Sequence, residues 1–572
     1  MATIEELGSY TFQSLLRNTL EKFKDRPAFG LVSSKENLEP PITYRDFQQM
    51  MDSAARVMTT NGFAPKKKIA IFGSGMAQWG ATYLATVCRG GIAVPLLPDF
   101  TASEVESIIS HAGIDMMVVS KALYPKIQNL DKSLVPVIIS LEDFSPIRGK
   151  PADLVRGFLP KPDAVHEDDI ASIIYTSGTT GTPKGVELSH KNLVWTGLQC
   201  QTVHRVNKYD RCLSFLPLSH VYEFTIGFVL QILNGSCIYY LDRPPTVSSL
   251  LPAFLKVRPT IVLSVPMIME KIYKHKIYPT LQGTDLKKRL YKIPPVRGLM
   301  NYVAGRSLKK AFGGKLVFFG IGGARLDPDV ELFLKRARFP YAIGYGLTET
   351  SPLLAGSGPK ETIPETVGPV LEGVELQIIN PNPQTGIGEV VARGPNVMKG
   401  YYKNPGLTAE AFTTEEDACG AGWFKTGDLG ILEKRRGRDW LSLKGRSKNM
   451  ILGSSGENIY PEDIEFILNQ HPLVAESLVV EGEKGNLVAL VKLVENAFSA
   501  VGSAIGHAAQ DVKEDFLYKR EEILSEIQFF VNKRINKNSR LGTVQDIDEF
   551  EKTASQKIKR YLYKFPFTKK KE

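Results

Sequence analysis

Residues 173–190 read IIYTSGTTGTPKGVELSH. An apolar strand runs into Gly178, Gly181 and Gly185, with Thr176, Ser177, Thr179, Thr180 and Thr182 between and around them and Lys184 near the end. Glycines let backbone N–H groups approach an anion, hydroxyls supply neutral donors, and a lysine supplies a point charge. Such a loop suits polyphosphate. It is not the GxxxxGK[ST] loop, because Pro183 precedes Lys184 and Gly185 follows it where Ser or Thr is required. Ordinary phosphoryl-transfer NTPases are therefore disfavoured.

Outward from this loop, short apolar runs bounded by Gly or Pro recur through the first part of the chain, at 69–72, 92–97, 116–120, 135–140, 170–175 and 316–320. Helix-like stretches separate them, and this alternation predicts an α/β architecture with mostly parallel sheets. The Pro-rich stretch 145–163 reads as a surface connection between two such units. From 367 to 443, segments such as GVELQII and GEVVARG predict a small all-β lobe. Beyond LKGRSKN, PEDIEFILNQ reads as a helix and VAESLVVEGEKGNLVALVKL as a hairpin, while Ile523, Ile527, Phe530 and Val531 mark one face of a longer helix. The expectation is a multi-lobed α/β N-terminal domain with a small β lobe, followed by a compact α+β C-terminal domain. At 572 residues the chain is too long for one core.

The loop resembles the signature of the adenylate-forming superfamily of acyl-CoA synthetases, firefly luciferase and peptide-synthetase adenylation domains. Other motifs follow in that family's order over nearly the whole chain. LPLSHVYEF, 216–224, resembles the segment that borders the acyl pocket, which implies that His220 lies beside the reacting carboxylate. Some long-chain members carry a gating tryptophan where this chain has Phe224. GIGGARL, 320–326, is similar to the turn against adenine and implies Gly322, Gly323 and Ala324 as its contacts. YGLTETSP, 345–352, implies Tyr345 stacked on adenine with Gly346 beside it, Thr348 at phosphate, and Glu349 with Thr176 at Mg²⁺.

WFKTGDLG, 423–430, and GRSKN, 445–449, imply that Asp428 and Arg446 meet the ribose and that Lys448 is the interdomain hinge, with Asn449 where aspartate is frequent. The domains expected from this are 1–447, binding ATP and acid, and a mobile 448–572. In SSGENIYPEDIE, Gly456 would line the pantetheine channel. FEKTASQKIKRYLY, 550–563, resembles the C-terminal motif whose lysine, here Lys557, bridges substrate carboxylate and α-phosphate; Thr553 and Arg560 also fit, with Gln556 where glycine is common. By resemblance, the expected activity is ATP- and Mg²⁺-dependent conversion of a carboxylate to acyl-AMP, then transfer to the thiol of CoA or of the phosphopantetheine on acyl carrier protein. GYGLTETSPLL, LPLSHVYEF and KIKRYLY look closest to bacterial long-chain fatty acyl-CoA or acyl-carrier-protein synthetases. A luciferase-type oxygenase shares the first half-reaction, and a lipid-surface scaffold without catalysis would share only the basic surface.

Composition fits this class. Hydrophobic residues at 43% and charged residues at 23% are ordinary for a folded globular chain. The five cysteines are scattered, without CxxC spacing or clustering with histidine, so reduced thiols are expected. The start, MATIEELGSYTF, has neither the basic residues nor the apolar core of a secretory signal, which predicts a cytoplasmic enzyme. The most apolar stretch, 224–241, is broken by Gln231 and Asn234, so no membrane span is expected. Net charge is +10, and 271–315 accounts for all of it with twelve Lys or Arg against the single acid Asp285. Interleaved apolar residues make this segment a candidate for contact with the inner membrane face, for an acidic carrier protein, or simply a solvated helical face. Without a nucleic-acid-binding motif beside the charge, nucleic acid is not an expected partner.

Overall fold

Parallel strands buried on both faces need helices above and below, and near-continuous apolar runs such as Met116–Val119 and Phe318–Ile321 supply them, every residue of each being buried. The computed structural model describes residues 3–33, 38–150, 159, 161–177, 183–452, 458–482, 486–494, 512–536, 539–553 and 557–563. One eight-stranded sheet has the order Ala355–Ser357, Tyr341–Tyr345, Phe318–Ile321, Ile261–Ser264, Arg211–Ser214, Cys237–Leu241, Pro27–Val32, Ile42–Thr43. The second runs Gly400–Tyr401, Pro183–Ser189, Ile170–Ser177, Ile92–Leu96, Lys68–Phe72, Met116–Val119, Ile138–Ser140, Pro146–Arg148. Both are parallel inside and antiparallel at their edges.

Helices Phe12–Phe23, Ala77–Val87 and His190–Val203 contribute to one continuous core with strands of both sheets. Its aromatic centre contains Phe12, Trp79, Tyr83, Phe224 and Phe228, with the Tyr83 and Phe224 rings 4.3 Å apart. Each such side chain contributes about 1.5–3 kcal/mol by leaving water. This packing fixes the segment that carries His220.

A third, wholly antiparallel sheet forms the β lobe, in the order Gly368–Pro369, Arg438–Arg446, Phe424–Arg435, Gly388–Arg393, Glu375–Ile379. The Pro-rich stretch is more than a connection: Pro146–Arg148 pairs antiparallel with Ile138–Ser140 at a sheet edge, where a proline costs no needed ladder bond. The apolar stretch 224–241 divides into a wide π-type turn, Glu223–Val229, a short helix, Leu230–Leu233, and the strand Cys237–Leu241, with Gly235 at φ +67° between the last two. Among the described residues no helix is long and apolar enough to cross a membrane.

The chain leaves the β lobe at Arg446 and turns through Ser447–Asn449. The C-terminal domain follows, with helices Pro461–Asn469 and Val512–Asn532 against the sheet Val474–Glu481, Leu487–Leu493, Leu541–Asp546. Ile464, Leu468, Val479, Ile523, Ile527 and Val531 form its core, as the helical periodicity predicts. It is docked on the N-terminal domain. Arg325 pairs with Asp463 and lies over the Phe466 ring, and the Lys274 ammonium donates to the carbonyls of His471 and Val474.

Candidate active site

The phosphate-loop segment is a hairpin. Strands Ile170–Ser177 and Pro183–Ser189 pair so that Thr176 faces Lys184 and Ser177 faces Pro183. Gly178, Thr179, Thr180, Gly181 and Thr182 lie outside the described residues, as does Gly456. Gly185 is required by packing, since a β-carbon there would press on Ile173, Tyr175 and Tyr402. Lys184 is half-buried, with its ammonium 5.7 Å from the centre of the Tyr401 ring. Burial and the charge of Lys448 lower its pKa, while Glu349 and Glu410 act in the opposite sense.

Glu349 sits on the 3₁₀ turn Thr348–Thr350 that follows the strand Tyr341–Tyr345. Only glycine fits at 346, because a β-carbon would overlap the Pro352 carbonyl. The turn is pinned from the opposite side of the site: Met398 N–H donates to the Glu349 carbonyl at 2.8 Å, and the Asn396 amide donates to the carbonyls of Thr350 and Leu353. The Tyr401 hydroxyl donates to Glu349 Oε1 at 2.9 Å, which aims the carboxylate. Tyr401 is absent from the sequence-derived site. Its only local signal is an aromatic beside Gly400 in KGYYKN, and nothing in that string points to residue 349. On the expectation that Glu349 is a Mg²⁺ ligand, as the sequence motif implies, Tyr401→Phe is expected to lower the adenylation rate about tenfold at low Mg²⁺ and to be partly rescued by excess Mg²⁺. An Mg²⁺ titration of the rate checks this.

Asp428 and Arg446 face each other across the strands Phe424–Arg435 and Arg438–Arg446. Asp428 is buried; its Oδ1 lies 3.2 Å from Arg446 Nε and its Oδ2 accepts the Tyr345 hydroxyl at 2.8 Å. Burial raises the Asp428 pKa, against Arg446, the Tyr345 hydrogen bond and Lys557. Gly427, at φ +71°, turns the strand so that the carboxylate meets these partners. Tyr345 is thus buried and tied through its hydroxyl to the carboxylate expected at ribose. Gly322 is buried against the Tyr222 ring, whereas Gly323, at φ +88°, and Ala324 are exposed. Thr348 is half-buried and Lys448 is exposed on its turn.

His220 lies just ahead of the wide turn, its carbonyl accepting from Phe224 N–H at 2.9 Å. Burial, then the charge of Lys557, pushes its pKa down to about 4, so the imidazole is neutral near neutral pH. Lys557 comes from the C-terminal domain on a loop closed by the Lys552–Ile558 bridge, by Thr553 N–H donating to the Lys557 carbonyl, and by Lys557 N–H donating to the Thr553 hydroxyl. The loop is anchored by Arg560, which donates to Glu465 Oε1 at 2.6 Å and to the Val479 carbonyl at 2.7 Å. Lys557 lies in a region dense with protein atoms, yet its side chain is exposed to solvent. Burial and Arg446 lower its pKa, while Asp428 and Glu349 raise it. Lys184, Lys448, Arg446 and Lys557 therefore converge on a cleft with Glu349 and Asp428 among its counter-charges, an electropositive site suited to a polyanion.

Comparison with known proteins gives the same frame. Solved structures that match include ATP-bound MatB from Rhodopseudomonas palustris, 22% identical with a TM-score of 0.73 over 96% of this chain and 97% of that one. o-Succinylbenzoate CoA synthetase from Bacillus subtilis with its acyl-adenylate is 20% identical, with a TM-score of 0.72 over 96% of each chain. The fold is that of adenylate-forming enzymes. In sequence, long-chain-fatty-acid–CoA ligase FadD15 of Mycobacterium bovis is 27% identical over 515 residues, 82% of this chain and 81% of the relative. Long-chain-fatty-acid–CoA ligase ACSBG2 of Rattus norvegicus is 25% identical over 528 residues, 84% and 76% of the two chains. The family model described as AMP-binding enzyme matches residues 16–402, a span that includes the hairpin of Lys184, the His220 segment, the Glu349 turn and Tyr401. With that match running through the cleft and most of the fold, the chain belongs to the AMP-binding enzyme family.

Proposed function

We propose that this protein is an acid–thiol ligase that activates a long-chain fatty acid with ATP and passes the acyl group to CoA or to the phosphopantetheine thiol of acyl carrier protein. The observation that carries this is the convergence of Lys184, Arg446, Lys448 and Lys557 from two domains on one cleft beside the neutral His220. Family membership supports adenylation, and the fatty-acid class is supported by the names of the curated relatives.

In this scheme the hairpin of Thr176, Ser177 and Lys184 holds the β- and γ-phosphates, Thr348 touches phosphate, and Asp428 with Arg446 receives the ribose. Adenine lies along Gly322, Gly323 and Ala324 beside Tyr345. Lys557 orients the substrate carboxylate; its oxygen attacks the α-phosphorus, the bond to the bridging oxygen breaks, and pyrophosphate leaves. Being neutral, His220 borders the acyl carbonyl without competing with Lys557 for the anion. Catalysis here is positioning and charge stabilisation, without a covalent enzyme intermediate.

Mg²⁺ fits the residues present. Tyr401 occupies one oxygen of Glu349 and leaves the other for a ligand, and a single carboxylate plus the Thr176 hydroxyl suits an ion held mainly by phosphate oxygens and water. When bound it neutralises phosphate charge. We further propose the boundary between 1–447 and 448–572, with Lys448 as hinge. Turning there withdraws Lys557 and brings Gly456 to the thiol, whose sulfur attacks the acyl carbon and displaces AMP.

The test is an assay of purified protein with ATP, Mg²⁺ and palmitate, comparing CoA with acyl carrier protein as acceptor. Palmitate-dependent pyrophosphate release with thioester formation on either acceptor is the expected result. Oxygen uptake or light without thiol consumption would overturn the second half-reaction, and no exchange with any long-chain acid would overturn the substrate class.

A further inference from the structure

Between the strand Ile261–Ser264 and the strand Phe318–Ile321 the chain inserts a helical excursion that the cleft chemistry does not use. Its last helix, Pro294–Ala311, has a settled inner face: Asn301, Ala304, Gly305 and Leu308 are buried, and Gly305 lies so close to the Ala337 carbonyl that a β-carbon would clash. The opposite face is therefore committed to solvent. It carries Leu299 at 65% exposure, Tyr302 and Val303, then Arg306 and Lys310 one and two turns on. The preceding helix, Asp285–Lys292, has no buried residue. Leu286 and Leu290 on it and Ile293 just after form an exposed stripe at helical spacing, flanked by Lys288, Arg289 and Lys292. A hydrogen bond from the Tyr291 hydroxyl to Asn301 ties the two helices together.

Eight of the twelve cations in 271–315 are exposed, and Lys288 with Asp285 is the segment's only ion pair among the described residues. Exposed aliphatic side chains next to cations that, Lys288 apart, have no carboxylate partner among the described residues are poorly served by water. A discrete acidic protein would satisfy the cations but would need a matching apolar groove for each protruding side chain. A fluid anionic bilayer satisfies both at once, with cations at the headgroups and aliphatic tips among the acyl chains.

We propose that the outer faces of helices Asp285–Lys292 and Pro294–Ala311 form a docking surface for anionic lipid bilayers. The helix Pro294–Ala311 leads directly into the strand that ends at the Gly322–Ala324 turn, and Lys274 of the same excursion touches the C-terminal domain. Docking thus sets the cleft close to the membrane, where a long-chain acid partitions; the docking itself does not depend on which acid is used.

Sedimentation of the full chain without substrate, using neutral phosphatidylcholine vesicles and vesicles containing phosphatidylglycerol at low and high salt, tests this. Binding to the anionic vesicles at low salt is expected, reduced about a hundredfold by K288E/R289E/K292E at roughly fivefold per removed charge or more. Leu286→Ser, Leu290→Ser and Leu299→Ser combined leave the charge unchanged and are expected to weaken partitioning at least about tenfold, because aliphatic burial contributes independently of charge. All these positions are exposed, so thermal unfolding of the variants is expected to match the parent. Parent-like partitioning of the leucine variant, failure of the parent to bind anionic vesicles at low salt, or binding to acyl carrier protein in place of vesicles would each overturn the proposal. Adenylation of a detergent-dispersed acid by both variants, measured alongside, reads the cleft separately.

Discussion

Lys557→Ala is expected to abolish most acid-dependent ATP–pyrophosphate exchange, by about 10²–10³-fold, while transfer to thiol from supplied acyl-adenylate is largely retained. The size follows from removing one preorganised cation from developing negative charge, about 3–4 kcal/mol. The loop should survive the change. Its closure uses the Lys557 backbone with Thr553 and the Arg560–Glu465 pair, none of which involves the ammonium. Because burial and Arg446 lower the Lys557 pKa from 10.5, adenylation by the parent should decline on the alkaline side at a pH below that ordinary value, as the ammonium loses its proton. The alanine variant should lose the part of this limb that Lys557 contributes, leaving that of Lys184, whose pKa is also lowered. Equal loss of both half-reactions would remove Lys557 from its assigned role.

A second large effect concerns stability. Glu223 is fully buried on the wide turn below His220, and neither carboxylate oxygen has a sound hydrogen bond among the described residues. Burial pushes its pKa from 4.5 up to about 8, with the nearby Ser214 hydroxyl offsetting only part of the effect. The folded protein therefore holds this proton where the unfolded chain releases it. The contribution is fully present below about pH 4.5 and is lost as pH rises toward about 8. Between about pH 5 and about pH 7.5 that loss amounts to roughly 3 kcal/mol. Glu223→Gln keeps the shape without an ionisable proton, so its urea midpoint should gain on the parent as pH rises. Other buried carboxyls, such as Glu270, titrate alike in both proteins and cancel in the difference. Identical pH slopes for parent and variant would show that Glu223 is not held protonated.

The local parts of the site were legible because local chemistry dictates them. A loop that must bring backbone amides to phosphate needs glycines at close spacing, and a buried parallel strand needs an uninterrupted apolar run. The strand leading into the phosphate loop, the mostly parallel α/β sheets, the β lobe and the helix carrying Ile523, Ile527 and Val531 all carry such patterns, whereas the return strand Pro183–Ser189 that makes the loop a hairpin does not. Boundaries were less legible: the strand expected from 316 begins at Phe318, and a proline-rich connection contains the edge strand Pro146–Arg148. Single edge pairings leave almost no imprint on composition.

From the sequence alone followed the fold class and the order of the motifs, since each rests on neighbours along the chain, while the roles of residues at a nucleotide are what the resemblance implies. Tertiary structure alone decided how distant residues work on one another. It placed the Tyr401 hydroxyl on Glu349, turned Tyr345 onto Asp428, buried the Glu223 carboxyl without a sound hydrogen bond among the described residues, and brought the charge of Lys557 to bear on His220. Hydrogen bonds and charge shifts fall off within a few ångströms of space, whatever the separation along the chain. No spacing in the sequence encodes that proximity.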